Sequence, residues 1–212
     1  MKVLIINGSP NALGNTYEAA TIVESALKEH DLDVEIYNLS NKHISYCNAC
    51  SSCYKTRDNK CIIKDDLNDL IEKCIEADGI ILGAPIHYAD ISGLAKNAFD
   101  RLFYVSSANG NIFRHKVGAS FVAVRRTGGV NGYNTLNNYL LYSEMLVAGS
   151  TYWNVIYGQK PKEVHGDAEG VVTLQVMADN IAYLLKMKEA TNIEAPAKRK
   201  KAFTNFVRKD LL

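Results

Sequence analysis

Four of the five cysteines in this 212-residue chain lie between positions 47 and 61. Cys47, Cys50 and Cys53 follow CxxCxxC spacing, and Cys61 comes after seven further residues. Three thiolates on a tight polar loop, with a fourth on a short return, can enclose a [4Fe–4S] cluster. The familiar ferredoxin run ends in Cys-Pro, whereas Ile62 follows Cys61 here, so that motif does not apply. Two other chemistries use the same residues. One is a four-cysteine zinc site, although its ligand pairs usually stand further apart along the chain. The other is a set of reduced thiols lining a substrate loop or forming a redox dithiol. Cys74 belongs elsewhere: with Leu67, Leu70, Ile71 and Ile75 it marks the apolar face of a helix and reads as core.

A second set of residues could hold an anion. Residues 3–16 read VLIINGSPNALGNT. The apolar, β-branched run at 3–6 is that of a strand buried on both faces, and Gly8 and Pro10 end it. A helical pattern begins at Ala19, leaving Ser9, Asn11, Gly14, Asn15 and Thr16 in the turn between them. Hydroxyls, amides and the free N–H groups of a helix start form an anion site, and the same residues also suit an ordinary turn capped by Asn15 or Thr16. No Lys follows Gly14, which excludes GxxxxGK[ST], and Gly8 and Gly14 are too far apart for GxGxxG.

The elements that position these residues alternate. Strands are predicted at 3–6, 34–39, 79–83, 118–124 and 151–156, with helices between them and a last long helix through Val171, Leu174, Ala178, Ile181 and Leu185. The helix after the fourth strand is expected over 133–146. This pattern implies an α/β, flavodoxin-like three-layer sandwich: a five-stranded parallel sheet in the order 2-1-3-4-5 with helices on both faces. Its ligand edge gathers the loops at 9–16, 85–88 and 125–132. One domain is expected over residues 1–190, with a Cys-rich insertion loop at 45–64 and a basic tail over 191–212 carrying Lys198, Arg199, Lys200, Lys201, Phe203 and Phe206.

With a net charge of +1, no long apolar span and no leader-like start, the chain reads as a cytoplasmic protein that binds neither nucleic acid nor membrane. Asp90 and Asp100 can be read as an acid pair, but Asp100, beside Arg101, reads rather as one member of a surface or subunit ion pair.

NGSPN…GNT, GAPIHYADISGLAKNAFDR and RRTGG resemble the NADPH-dependent FMN reductase family of flavodoxin-like proteins, over roughly residues 1–187. The resemblance implies an FMN site. The phosphate would lie on Ser9, Asn11, Asn15 and Thr16, the ring along Pro85, Ile86, His87 and Tyr88, and its pyrimidine end against Arg125, Arg126, Thr127, Gly128 and Gly129. Arg125 or Arg126 would stabilise the reduced anion. His87 would stack on or bond the ring, or equally hold the turn after Pro85.

The cysteines resemble those of the iron-sulfur flavoproteins, a branch of that family. This implies cluster ligation by Cys47, Cys50, Cys53 and Cys61. Two functions follow: an NAD(P)H oxidoreductase acting on quinones, free flavin or similar acceptors, or a carrier relaying electrons from ferredoxin with no small-molecule substrate of its own. A zinc-stapled binding module is the third reading, disfavoured by the three converging loops. The apolar succession Phe99, Leu102, Phe103 and Tyr104 suggests a homodimer or homotetramer.

Overall fold

In a computed structural model, which describes residues 1–191, 193–200 and 202, the first apolar run becomes β1 (Lys2–Asn7), buried from Val3 onward. In chain order there follow α1 (Asn15–Lys28), β2 (Asp33–Asn38), α2 (Ser52–Thr56), α3 (Leu67–Glu76), β3 (Gly79–His87), β4 (Asp90–Ile91), α4 (Gly93–Ala108) and β5 (Val117–Val124). The chain continues through α5 (Gly129–Tyr142), β6 (Leu146–Val147), β7 (Val155–Tyr157), a 3-10 turn (Glu163–Gly166) and α6 (Ala168–Ala190). The parallel sheet runs β2-β1-β3-β5, and β6 and β7 share its last edge.

Alternation along each strand sends side chains into two cores. Val3, Ile5, Ile81, Ala119 and Phe121 pack beneath α1 and α6. Leu4, Ile6, Ile80, Leu82 and Val122 pack with α3, α4 and α5 on the other face, and Cys74 is fully buried among them. Each large apolar side chain sealed this way contributes about 1.5–3 kcal/mol. The expected flavodoxin-like topology is the one observed, with seven strands among the described residues where five were expected.

The extra strands have local causes. The fifth strand, expected at 151–156, is split: Leu146–Val147 pairs with the start of β5 and Val155–Tyr157 with its end. Between them 151–153 leave the sheet, and Asn154 fills the gap. Its backbone oxygen accepts from Val122 N at 2.9 Å and its Nδ2 donates to Ser120 O at 2.9 Å. The expected loop at 85–88 is mostly strand. Tyr88 (φ 50°) and Ala89 (φ 65°) make a tight turn, so Ile86 pairs with Ile91 and His87 with Asp90.

Helix α5 starts at Gly129, four residues before the expected Tyr133, because Gly128 takes φ 88° and turns the chain there. A Cβ on Gly128 would also lie 2.6 Å from Ala89 Cα. The polar Cys-rich loop contains the short helix α2.

The apolar succession on α4 is used inside the chain, which corrects the surface argument for oligomers. Phe99 and Leu102 are fully buried. Phe103 stacks on Tyr139 with centroids 5.2 Å apart, and Tyr104 meets Tyr54 edge-on at 5.2 Å. Asp100 makes a surface ion pair, with Lys96, and also bonds the Tyr139 hydroxyl, while its neighbour Arg101 turns inward to Asp65. Of the basic tail, Lys198 donates to Gly110 O at 2.8 Å, and Arg114 donates to Pro196 O at 3.0 Å. Lys201, Phe203 and Phe206 lie outside the described residues.

The turn after β1 is held against α4. Asn7 Nδ2 donates to Asn38 Oδ1 at 2.7 Å, and Ser9 N donates to Asn7 Oδ1. Gly8 N donates to Gly83 O at 2.8 Å, and Ser92, the N-cap of α4, donates to Gly8 O at 2.8 Å. A Cβ on Gly8 would sit 2.7 Å from Ala95 Cβ and 2.8 Å from Gly83 O, and backbone there cannot move aside cheaply. Gly8→Ala is therefore expected to cost about 1–3 kcal/mol, the usual range for overpacking. Denaturant melts check it, and an unchanged midpoint would refute this close packing.

Candidate functional site

The C-terminal ends of β1, β3, β5 and β7 open onto one cleft of about 260 Å³. Ser9, Asn11, Asn15, Thr16, Pro85, Ile86, His87 and Arg125 line it. Three separate loops therefore do converge. Tyr88 stands fully exposed at the hairpin tip, outside the cleft lining. Arg126 lines a neighbouring open depression, Thr127 is exposed, and Gly128 and Gly129 serve the start of α5.

The floor of the cleft carries buried polar groups. Ser9 and Thr16 are 4% and 2% exposed. No side chain caps α1, whose N-cap is Gly14, and the first N–H groups of any helix lack intrahelical partners. The Oδ1 of Asn15 is buried without a partner. Uncapped N–H groups beside buried hydroxyls suit an anion, which the helix dipole also favours. Pro85 and Ile86 supply apolar surface in the same cleft, so a phosphate joined to a flat ring fits this donor set. On the far wall, Arg125 Nε donates to Gln159 Oε1 at 3.1 Å, which fixes the guanidinium beside the opening.

Sequence reasoning missed the contribution of Gly158, Gln159 and Pro161, which also line the cleft. Gly158 and Pro161 are ordinary loop signals after the last strand, and that loop reaches the same sheet edge as the other three.

The four clustered cysteines line one smaller pocket, together with Arg101, Tyr104 and Val105 of α4. Left-handed Ser51 (φ 56°) and Arg57 (φ 51°) bracket α2, which carries Cys53. Cys61 is clamped by Asn68 of α3: Cys61 N donates to Asn68 Oδ1 at 2.8 Å, and Asn68 Nδ2 donates to Cys61 O at 3.0 Å. Hydrogen bonds from Ser52 bring the exposed Cys50 thiol below its ordinary range, whereas burial pushes the Cys53 thiol up.

Among the described residues, no group of three or more His, Cys, Asp or Glu side chains is arranged to hold a metal ion as they lie. The donor set still fits a larger thiolate-bound group, with four cysteines on one pocket and a buried guanidinium behind them.

The family model of NADPH-dependent FMN reductases matches residues 1–160. The chain belongs to this family. An iron-sulfur flavoprotein of Methanocaldococcus jannaschii is 31% identical over 199 residues, covering 89% of this chain and 98% of that protein. Among solved structures, RosB with a bound intermediate gives a TM-score of 0.69 at 18% identity, covering 98% of each chain. A flavodoxin from the Archaea gives a TM-score of 0.58 at 16% identity, over 88% of this chain and 99% of that one. At such identities the two structures speak for the fold alone. Membership in the FMN reductase family makes the protein a flavin-linked oxidoreductase of flavodoxin-like fold. No helix among its described residues is long and apolar enough to cross a membrane.

Proposed function

We propose that this member of the FMN reductase family binds FMN in the four-loop cleft and acts as an NAD(P)H oxidoreductase. The observation that carries the reading is the uncapped start of α1 beside the buried hydroxyls of Ser9 and Thr16. Bound there, FMN would supply the hydride and electron chemistry itself. The protein's part is to hold and tune it. Ser9, Asn11, Asn15 and Thr16 would hold the phosphate, Pro85 and Ile86 would exclude water from the ring, and His87 lies at the cleft's hairpin wall. Arg125, steadied by Gln159, holds a positive charge beside the opening, where it would favour negative charge on a bound flavin.

In the cysteine pocket, Cys47, Cys50, Cys53 and Cys61 would hold a [4Fe–4S] cluster, which supplies one-electron chemistry. The likeness to the M. jannaschii iron-sulfur flavoprotein supports this part. The second reading is a carrier that relays electrons from ferredoxin, with no small-molecule substrate of its own. Cytoplasmic location and a homodimer or homotetramer belong to the same proposal, the latter tested by light scattering.

Protein purified without oxygen is expected to show flavin absorption overlaid by broad cluster absorption, and to oxidise NADH or NADPH steadily when an acceptor is present. Absent flavin bands would overturn the FMN site. Flavin bands without steady NAD(P)H oxidation would favour the carrier.

A further inference from the structure

Arg101 is among the largest fully buried side chains of the protein, and it is a charged one. Its side chain and that of Asp65 are each 1% exposed. The guanidinium grips the carboxylate with both ends, Nη1 to Oδ2 at 2.5 Å and Nη2 to Oδ1 at 3.1 Å. Nη1 also donates to Ser45 O at 3.1 Å, and Nη2 donates to Cys61 Sγ at 3.0 Å. One guanidinium therefore joins the entry of the Cys-rich loop, its exit and one of its cysteines. Nε is buried without a partner, so one donor is left over.

A buried ion pair is by itself weak evidence for a role in stability. Desolvating both charges costs several kcal/mol each, and well-packed apolar residues commonly replace such pairs without loss. The carboxylate and the carbonyl would satisfy the guanidinium in any loop, but the bond to Cys61 Sγ points to the pocket. Donors to a ligand sulfur, and fixed charge nearby, are among the means by which a protein sets the potential of an iron–sulfur centre.

We propose that Arg101 is the positioning residue of the cysteine pocket: its guanidinium orients Cys61 and keeps a fixed positive charge against the ligand sulfurs, raising the electron affinity of the [4Fe–4S] cluster. The proposal rests on the cluster reading given above. Asp65 keeps the guanidinium in place, and Ser45 and Asp65 let it close the loop around the site. The event affected is the addition of one electron to the cluster, with no bond made or broken.

The test uses the full chain, reconstituted anaerobically with iron and sulfide, in three forms: wild type, Arg101→Lys, and the double variant Arg101→Met/Asp65→Asn. The double variant removes both charges, so neither is left buried alone. Iron and acid-labile sulfide are counted per chain, bound FMN is measured, and the cluster is titrated with dithionite against mediators. Loaded wild type is expected to have the highest midpoint potential. In the double variant electron affinity should fall about tenfold, which is about 59 mV more negative for a one-electron couple. In Arg101→Lys, which keeps the charge but not the forked grip, the midpoint should move part of the way.

Iron at trace level in the wild type would overturn the cluster reading, and this proposal with it. A loaded double variant with an unmoved midpoint would overturn the role of Arg101 alone. If the double variant folds poorly or holds no iron, Arg101→Lys decides. A loaded Lys variant shifted negative supports the proposal, and one at the wild-type midpoint overturns it.

Discussion

The double variant Ser9→Ala/Thr16→Val is expected to bind FMN about a hundredfold more weakly than the wild type. Both hydroxyls are nearly sealed from solvent at the uncapped start of α1. A hydrogen bond to a charged group is worth about 1.5 kcal/mol or more, so losing two removes about 3 kcal/mol, and every 1.4 kcal/mol is tenfold in affinity. Thr16→Val keeps the side-chain shape. Ser9→Ala also removes the acceptor of the Asn11 N–H, at 3.0 Å, so a small loss of stability accompanies it. Riboflavin, which lacks the phosphate, separates the two effects. Its affinity should be nearly unchanged in the double variant, while that of FMN falls. Calorimetry with both ligands makes the measurement, and undiminished FMN binding would remove the phosphate from this loop.

Loss of nearly all iron is the second large effect, expected from Cys53→Ser. Anaerobically reconstituted wild type should hold about four iron and four sulfide per chain. Cys53 is 7% exposed on α2 and lines the cysteine pocket. A serine hydroxyl there is a far weaker ligand for iron than a thiolate. FMN should stay bound, because no cysteine lines the flavin cleft. Cys74→Ala is the contrast: that residue packs in the core with α3, so its loss should trim stability and leave the iron count unchanged. Equal iron in wild type and Cys53→Ser, or loss from Cys74→Ala alone, would return Cys53 to a plain thiol.

Much of the scaffold was legible because burial leaves periodic traces. The apolar runs at 3–6, 79–83 and 118–124 read as two-sided strands, and with the helices alternating between them they place three loops at one edge. The hairpin beyond Pro85 was not legible. Its turn uses Tyr88 and Ala89 at positive φ, without the glycine or asparagine that usually marks such a turn. The start of α5 was missed for a related reason: Gly128 and Gly129 read as loop, yet one caps the helix and the other begins it.

Arg101 was read only as the neighbour of Asp100, whereas its partner lies thirty-six residues earlier in the chain. A signal was present. Positions 98, 101, 102 and 105 fall on one helical stripe, and Ala98, Leu102 and Val105 are all buried. A lone arginine within that stripe has to find a buried acid. The cysteine spacing foretold a shared pocket, but nothing in the loop foretold that a guanidinium from α4 would close it.

The split edge of the sheet bears on how this protein avoids strand-to-strand aggregation. An open, unbroken edge strand is a template for another chain, and such templates seed aggregates. Here the outer side of β5 offers no such run. Short β6 and β7 cover its two ends, and the amide of Asn154 occupies the acceptor at Ser120 between them. At the opposite edge, β2 carries Asp33 and Glu35, the latter paired with Lys73 at 2.7 Å and Lys2 at 3.2 Å. A neighbouring strand docking there would have to strip water from that charged cluster. Both flanks are thus guarded, one by interruption and the other by charge, so among the described residues crowded or freshly synthesised chains meet no ready β-seam to extend.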